Sequence, residues 1–182
     1  MRGLWGRLKA VRRNHALEHA TIALLIAQMG RPLKLVGRAS ADGFYLLGNV
    51  AEGEVLAAAR EALSRLRRGE DHLAISPMCG TNLVTAGVMT GLAAFAILRR
   101  GAKWRWLPEV VTACTLAVAL SQPLGRWLQR HLTVSLELEG MEVMGVRKVG
   151  PALPLYKVYT SSGDEPPRLP DGPCPRGARP TP

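Results

Sequence analysis

Cysteine is scarce in this chain, three in 182 residues, and aromatic residues make up only 5%. Acidic side chains are short too, 14 Asp+Glu against 24 Lys+Arg. Thiols at positions 79, 114 and 174 are too few and too scattered for a disulfide framework, which excludes a small extracellular scaffold. The shortage of acid leaves a net charge of +10, which calls for an anionic neighbour, either nucleic acid or phospholipid head groups. No RNA-binding or helix-turn-helix signature accompanies the basic residues, so nucleic acid is not an expected partner. The N-terminal stretch does not read as a cleavable signal. The apolar stretch 20–29 follows Glu18 and two histidines and has no small-residue cleavage site, so the polar part is expected in the cytoplasm.

What is present is organised in blocks. Residues 4–29 carry His15, Glu18/His19, Ile22, Leu25/Ile26 and Met29 at the spacing of one helical face, and Gly30 and Pro32 end the pattern. Runs 33–36 and 44–47 read as strands joined through Asp42-Gly43. Asn49 with Glu52 three residues later resembles a capping box for a second helix reaching Arg68, with Val55, Leu56, Ala59, Leu63 and Leu66 inward. Strict alternation over 133–138 predicts a strand, Gly140 a turn, and 142–149 a returning strand. Seven of the 13 prolines fall in the last 22 residues, a composition expected of a disordered tail.

Between these blocks the composition changes. Residues 83–98 hold no charge and residues 106–125 only Glu109. A bilayer core takes about 20 apolar residues per helix, with a lower limit near 17. The link between the two runs holds Arg99, Arg100, Lys103 and Arg105 interleaved with Trp104 and Trp106, the pattern of a membrane interface. The predicted fold is therefore α+β. A small helix and hairpin domain (1–81) carries an inserted two-helix membrane hairpin (82–130), a β part (131–160) and a Pro-rich tail (161–182). The expected partner is a lipid bilayer, the cell inner membrane, and the Gly/Ala-rich helices suit a homo-oligomer. A buried hairpin in a soluble domain is the alternative.

One string carries chemistry. In His15-Ala-Leu-Glu18-His19 the imidazoles lie four residues apart on one helical face, so both can address a single ion, and Glu18 sits beside them to act on water or to orient a histidine. The string also matches the inverted zinc-protease pattern His-x-x-Glu-His; two surface histidines with an ion pair are the plainer reading. Cys79 lies in a Pro-x-Cys-Gly-Thr-Asn bend just before a helix start, where backbone N–H groups favour thiolate. His15, His19 and Cys79 with zinc, and Glu18 as general base, make the ligand set of a catalytic centre with one open position. His72, Thr81 and Asn82 are candidates to line it, Thr81 and Asn82 serving first as helix caps.

These residues, with Ala20-Thr21 after the first string and Ser76-Pro-Met before Cys79, resemble an uncharacterised family of small bacterial membrane proteins. That family is similar to a broader group of predicted metal-dependent membrane enzymes with the pattern Ala-Glu-His-Lys…His-Pro-Arg-Cys-Gly-Thr. The resemblance spans roughly residues 10 to 130 and falls on Glu18-His19 and Cys79-Gly80-Thr81. It departs at Ser76, where the group has histidine; if that histidine is a ligand there, either His15 or His72 replaces it here or the metal is lost. Three functions follow: a membrane-associated zinc hydrolase acting on a small molecule or peptide, a metal-free hydrolase with Cys79 as nucleophile, or a non-enzymatic membrane-anchored scaffold.

Overall fold

The computed structural model describes residues 2–30, 34–99, 101, 104–150 and 153–161. The chain divides into two units, residues 1–74 with 134–182, and residues 75–133. The expected strand at 33–36 begins outside the described residues, as do Arg100, Lys103 and the Pro-rich tail beyond Ser161.

The first unit is built from two helices, α1 (Arg2–Met29) and α2 (Glu52–Arg67), and four strands, β1 (Val36–Ser40), β2 (Gly43–Leu47), β3 (Glu142–Lys148) and β4 (Leu155–Ser161). The strands form one antiparallel sheet in the order β1-β2-β4-β3, so the α+β expectation holds. Phe44 stands opposite Val158 and Leu46 opposite Tyr156. All four side chains are buried on the face that α1 and α2 cover, with α1 over β1 and β2 and α2 over β3 and β4. Leu17, Leu25, Val55, Leu138 and Met141 complete this core. Gly43 adopts φ 138° at the turn into β2, and a Cβ there would overlap the Val158 carbonyl of β4. Glycine is required at that position.

Three expectations are corrected. Residues 134–138 form no strand, and the alternation is not kept in burial either: Val134 and Leu138 are buried but Leu136 between them is exposed. Their backbone is taken up by α1 instead: Ser135 N–H donates to the Arg12 carbonyl (3.1 Å), and the Arg12 guanidinium donates to the Val134 carbonyl (3.0 Å). The strand pairing with β3 is β4, from a run that the sequence reading passed over. The N-cap of α2 is Ala51 rather than Asn49; its N–H donates to Glu54 at 2.8 Å. On α1, Ile26 is exposed, because the buried stripe runs through Ala16, Leu17, Ala20 and Leu24.

The second unit is a helical hairpin of α3 (Gly80–Leu98) and α4 (Leu107–Leu128), the latter continued by a π-helical turn at Gln129–Thr133. The helices over Gly80–Leu98 and Trp104–Thr133 are long and apolar enough to cross a membrane. Ala117, Ser121 and Gly125, four residues apart, form the buried stripe of α4, and small residues of this kind let helix backbones approach closely.

Candidate metal centre

The i,i+4 spacing brings His15 and His19 together on α1, with ring centroids 4.4 Å apart and planes inclined at 61°. His19 is buried and His15 half-buried. The Nδ1 of His19 lies 2.7 Å from the carbonyl of Ala74, presented by the 3-10 turn Asp71–Ala74. A carbonyl oxygen only accepts, so Nδ1 must carry the hydrogen. In the neutral ring the Nε2 lone pair is then the free coordinating site, the arrangement found when a backbone carbonyl orients a ligating histidine.

Glu18 is buried on the same helix, 5% exposed. Its carboxylate packs against Gly37 of β1, where any Cβ would overlap the acid. Gly37 is a residue that sequence reasoning missed. A glycine in a strand signals a close approach, but only the docking of α1 on β1 reveals what approaches.

In the second unit Cys79 is the N-cap of α3, with φ −67° and ψ 140°, and its Sγ accepts the Thr81 N–H at 3.4 Å. The expectation that Thr81 and Asn82 cap the helix is corrected, because the sulfur takes that role. The sulfur therefore stands at the N-terminus of the 19-residue α3, beside a backbone N–H donor. Asn82 braces the bend instead. Its Nδ2 donates to the Pro77 carbonyl (2.9 Å), and its Oδ1 accepts from Gln129 Nε2 (2.9 Å). Gln129 also bonds both backbone groups of Ser76, at 3.0 Å each. A Cβ at Gly125 would overlap the Asn82 amide, so the glycine makes room for this lock. Gln129, fully buried, had no signal in the sequence beyond being polar at the end of an apolar run.

The remaining candidates fall elsewhere. His72 is exposed on the 3-10 turn. Thr81 contributes its backbone N–H to Cys79 and its carbonyl to the Thr85 hydroxyl (2.7 Å). His15 and His19 thus offer two adjacent nitrogen ligands in the first unit, and Cys79 offers a sulfur ligand in the second.

A family model described as domain of unknown function DUF6391 matches residues 10–146. The chain is similar to an uncharacterised protein of Picosynechococcus sp., with 36% identity over 145 residues, 70% of this chain and 67% of that protein. No solved structure matches. The expected kinship with an uncharacterised family is thus met, and the matched span contains His15, Glu18, His19 and Cys79. The chain belongs to the DUF6391 family.

Proposed function

We propose that this protein is a membrane-anchored, metal-dependent hydrolase in which His15, His19 and Cys79 hold zinc and Glu18 is the general base. The observation that carries this reading is the His19 Nδ1–H bond to the Ala74 carbonyl, which sets one imidazole in the tautomer a metal requires. Two further features support it. Cys79 follows Ala74 by only five residues, so the chain keeps it within about 17 Å of that carbonyl at 3.3–3.6 Å per residue. Its sulfur already faces an N–H donor of α3, which suits thiolate ligation.

Two imidazoles and one thiolate leave a fourth position open. Bound zinc would supply Lewis-acid polarisation of a substrate carbonyl and of water. The work of this chain's own residues is then defined. Glu18 accepts the proton of the attacking water at a carboxylate oxygen and returns it to the leaving group. Gly37 leaves the space that this carboxylate occupies. The Asn82–Gln129 lock holds the bend that carries Cys79. The bilayer anchor is α3 with α4, since only 11% of the apolar window of each span is buried. The metal-bearing side faces the cytoplasm of the inner membrane, where thiols remain reduced.

The test is metal analysis of the purified full chain, with about one zinc per chain expected for a site of this donor set. His19→Ala and Cys79→Ser each lower that content at least tenfold, while Glu18→Gln keeps the metal and abolishes hydrolysis. Wild-type protein without metal, together with unaltered folding of His19→Ala, would sink the proposal. The Cys79–Thr81 contact also suits a nucleophilic cysteine. Stoichiometric labelling of Cys79 by a thiol probe near neutral pH, undiminished by added zinc, would favour that second reading.

A further inference from the structure

The first turns of α1 overhang the sheet. From Gly3 to Lys9 every residue is exposed, including Leu4 and Leu8. Leu4, Arg7, Leu8 and Val11 recur at i, i+3, i+4 and i+7, one face of the helix. That face and the sheet both line an open groove of about 690 Å³. The sheet residues in it, Val36, Arg38, Tyr45, Leu47 and Leu155, alternate with the helix-covered Leu46 and Phe44, so they point to the other face and the groove turns around the β1 edge. The volume falls within the roughly 300–1,000 Å³ typical of ligand sites.

The sheet wall is laid out in two rows. Val36, Leu47 and Leu155 stand in register across β1, β2 and β4, giving an apolar row. Two residues along, Arg38, Tyr45 and Lys157 form the next row. Lys157 is buried and bound to Asp42 (2.7 Å) and to the Ser40 hydroxyl (2.6 Å). Arg38 is exposed, as is Arg7 across the groove, and neither has an ion-pair partner among the described residues. No acidic side chain lines the groove. An apolar trough with two free guanidinium groups fits an apolar chain bearing an anionic head, because arginine pairs with phosphate or carboxylate in a forked geometry.

We propose that this groove binds an anionic phospholipid, one acyl chain lying along the apolar side chains Leu4, Leu8, Val36, Leu47 and Leu155, with the phosphate held by Arg7 and Arg38. A peptide strand added to the free edge of β1 is the competing occupant. It is disfavoured because the Asn14 side-chain amide already takes the Ser40 and Ala41 carbonyls at that end of the strand (2.8 and 3.2 Å), while an added strand binds through such backbone groups. The site is independent of the metal and needs only access to lipid.

The full chain is reconstituted in nanodiscs of neutral phosphatidylcholine containing a small fraction of photoreactive phosphatidylglycerol, and adducts are mapped by mass spectrometry. Adducts on residues 4–11 and 36–47 are expected, falling about tenfold in Arg7→Gln/Arg38→Gln, in line with two lost charge-assisted contacts. Leu8→Asp should abolish them by placing charge on the apolar wall. Photoreactive phosphatidylcholine should label α3 and α4 equally in all variants, so hairpin labelling reports membrane insertion and groove labelling reports this site. If the chain does not insert, the same contrast is read in neutral detergent micelles. Groove adducts that ignore both charge variants would overturn the proposal. So would their absence, or Arg-dependent binding of an acidic peptide or of a second copy in place of the lipid.

Discussion

The two units differ in what their interiors are made of. In the sheet unit a large apolar core, with Phe44, Leu17, Leu25, Leu46 and Val158 fully enclosed, surrounds a few buried polar groups such as Asn14, Thr21 and Glu18. In the hairpin unit the enclosed positions are Asn82, Thr85, Ser121, Gln129, Ala117 and Gly125, while Leu83, Val84, Leu92, Phe95, Leu116 and Leu120 stand outside. One rule gives both patterns if the surroundings differ. In water the apolar groups gather, at roughly 25 cal/mol per Å² removed from solvent. In hydrocarbon that drive is lost, and polar groups and small residues hold helices together. The apolar exterior of the hairpin is what a surrounding bilayer would produce, and in that case the same kind of substitution would behave differently in the two units.

The sharpest break of this contrast pairs Phe44 with Val88. Phe44→Ala empties the centre of the sheet unit and is expected to lower stability by about 3–5 kcal/mol, read from thermal or denaturant unfolding in one detergent. Val88→Ala, at a side chain 56% exposed near the middle of α3, should change it by less than about 0.5 kcal/mol. Val88→Arg is the informative partner. It should cost about 3 kcal/mol of insertion and release the chain from membranes under alkaline wash. If Val88→Arg stays as firmly in the membrane fraction as wild type, the hairpin is facing something other than lipid.

A smaller effect is expected at the polar interior of the hairpin. Gln129→Ala leaves the Ser76 backbone and the Asn82 carbonyl oxygen without their partner, which should cost about 1–3 kcal/mol. Because the same lock braces the bend of Cys79, zinc content should fall in step with stability. Full metal occupancy in a destabilised Gln129→Ala would separate the lock from the site.

How much of this was legible beforehand depends on where each residue's partners lie in sequence. The His15/Glu18/His19 face was readable because i,i+4 geometry is local, and the spans of α3 and α4 because a run of apolar residues needs no partner to be recognised. The alternation at 133–138 misled: Val134 and Leu138 are inside but Leu136 is exposed, and the backbone finds its partner in Arg12 of α1 rather than in a ladder. β4 escaped because Tyr156-Lys157-Val158-Tyr159 sits between Pro154 and the Pro-rich tail, where composition argues for loop. Gly37, Gly125 and Gln129 were beyond reach for one shared reason. Each acquires its meaning from a residue tens of positions away, Glu18 or Asn82, and a single sequence does not carry that distance.

The mildest prediction concerns a charged pair in the sheet unit. Asp42 gives up part of its hydration, which by itself would raise its pKa. The hydrogen bonds from Lys157 and Ser40, with the Lys157 charge, outweigh that and hold its carboxyl below the ordinary 3.8. A carboxyl depressed on folding contributes stability that is present above its unfolded pKa and lost as pH falls through the folded value. Asp42 is 56% exposed, so solvent screens the pair and Asp42→Asn should cost about 1 kcal/mol or less at pH 7. The gap between wild type and Asp42→Asn in unfolding midpoint should stay level down to about pH 5, then close below pH 4 as the native carboxyl takes up its proton. A gap that widens on acidification would mean that Lys157 is held mainly by the Ser40 hydroxyl and the Tyr45 ring, 4.2 Å from its ammonium, with Asp42 a bystander at the turn.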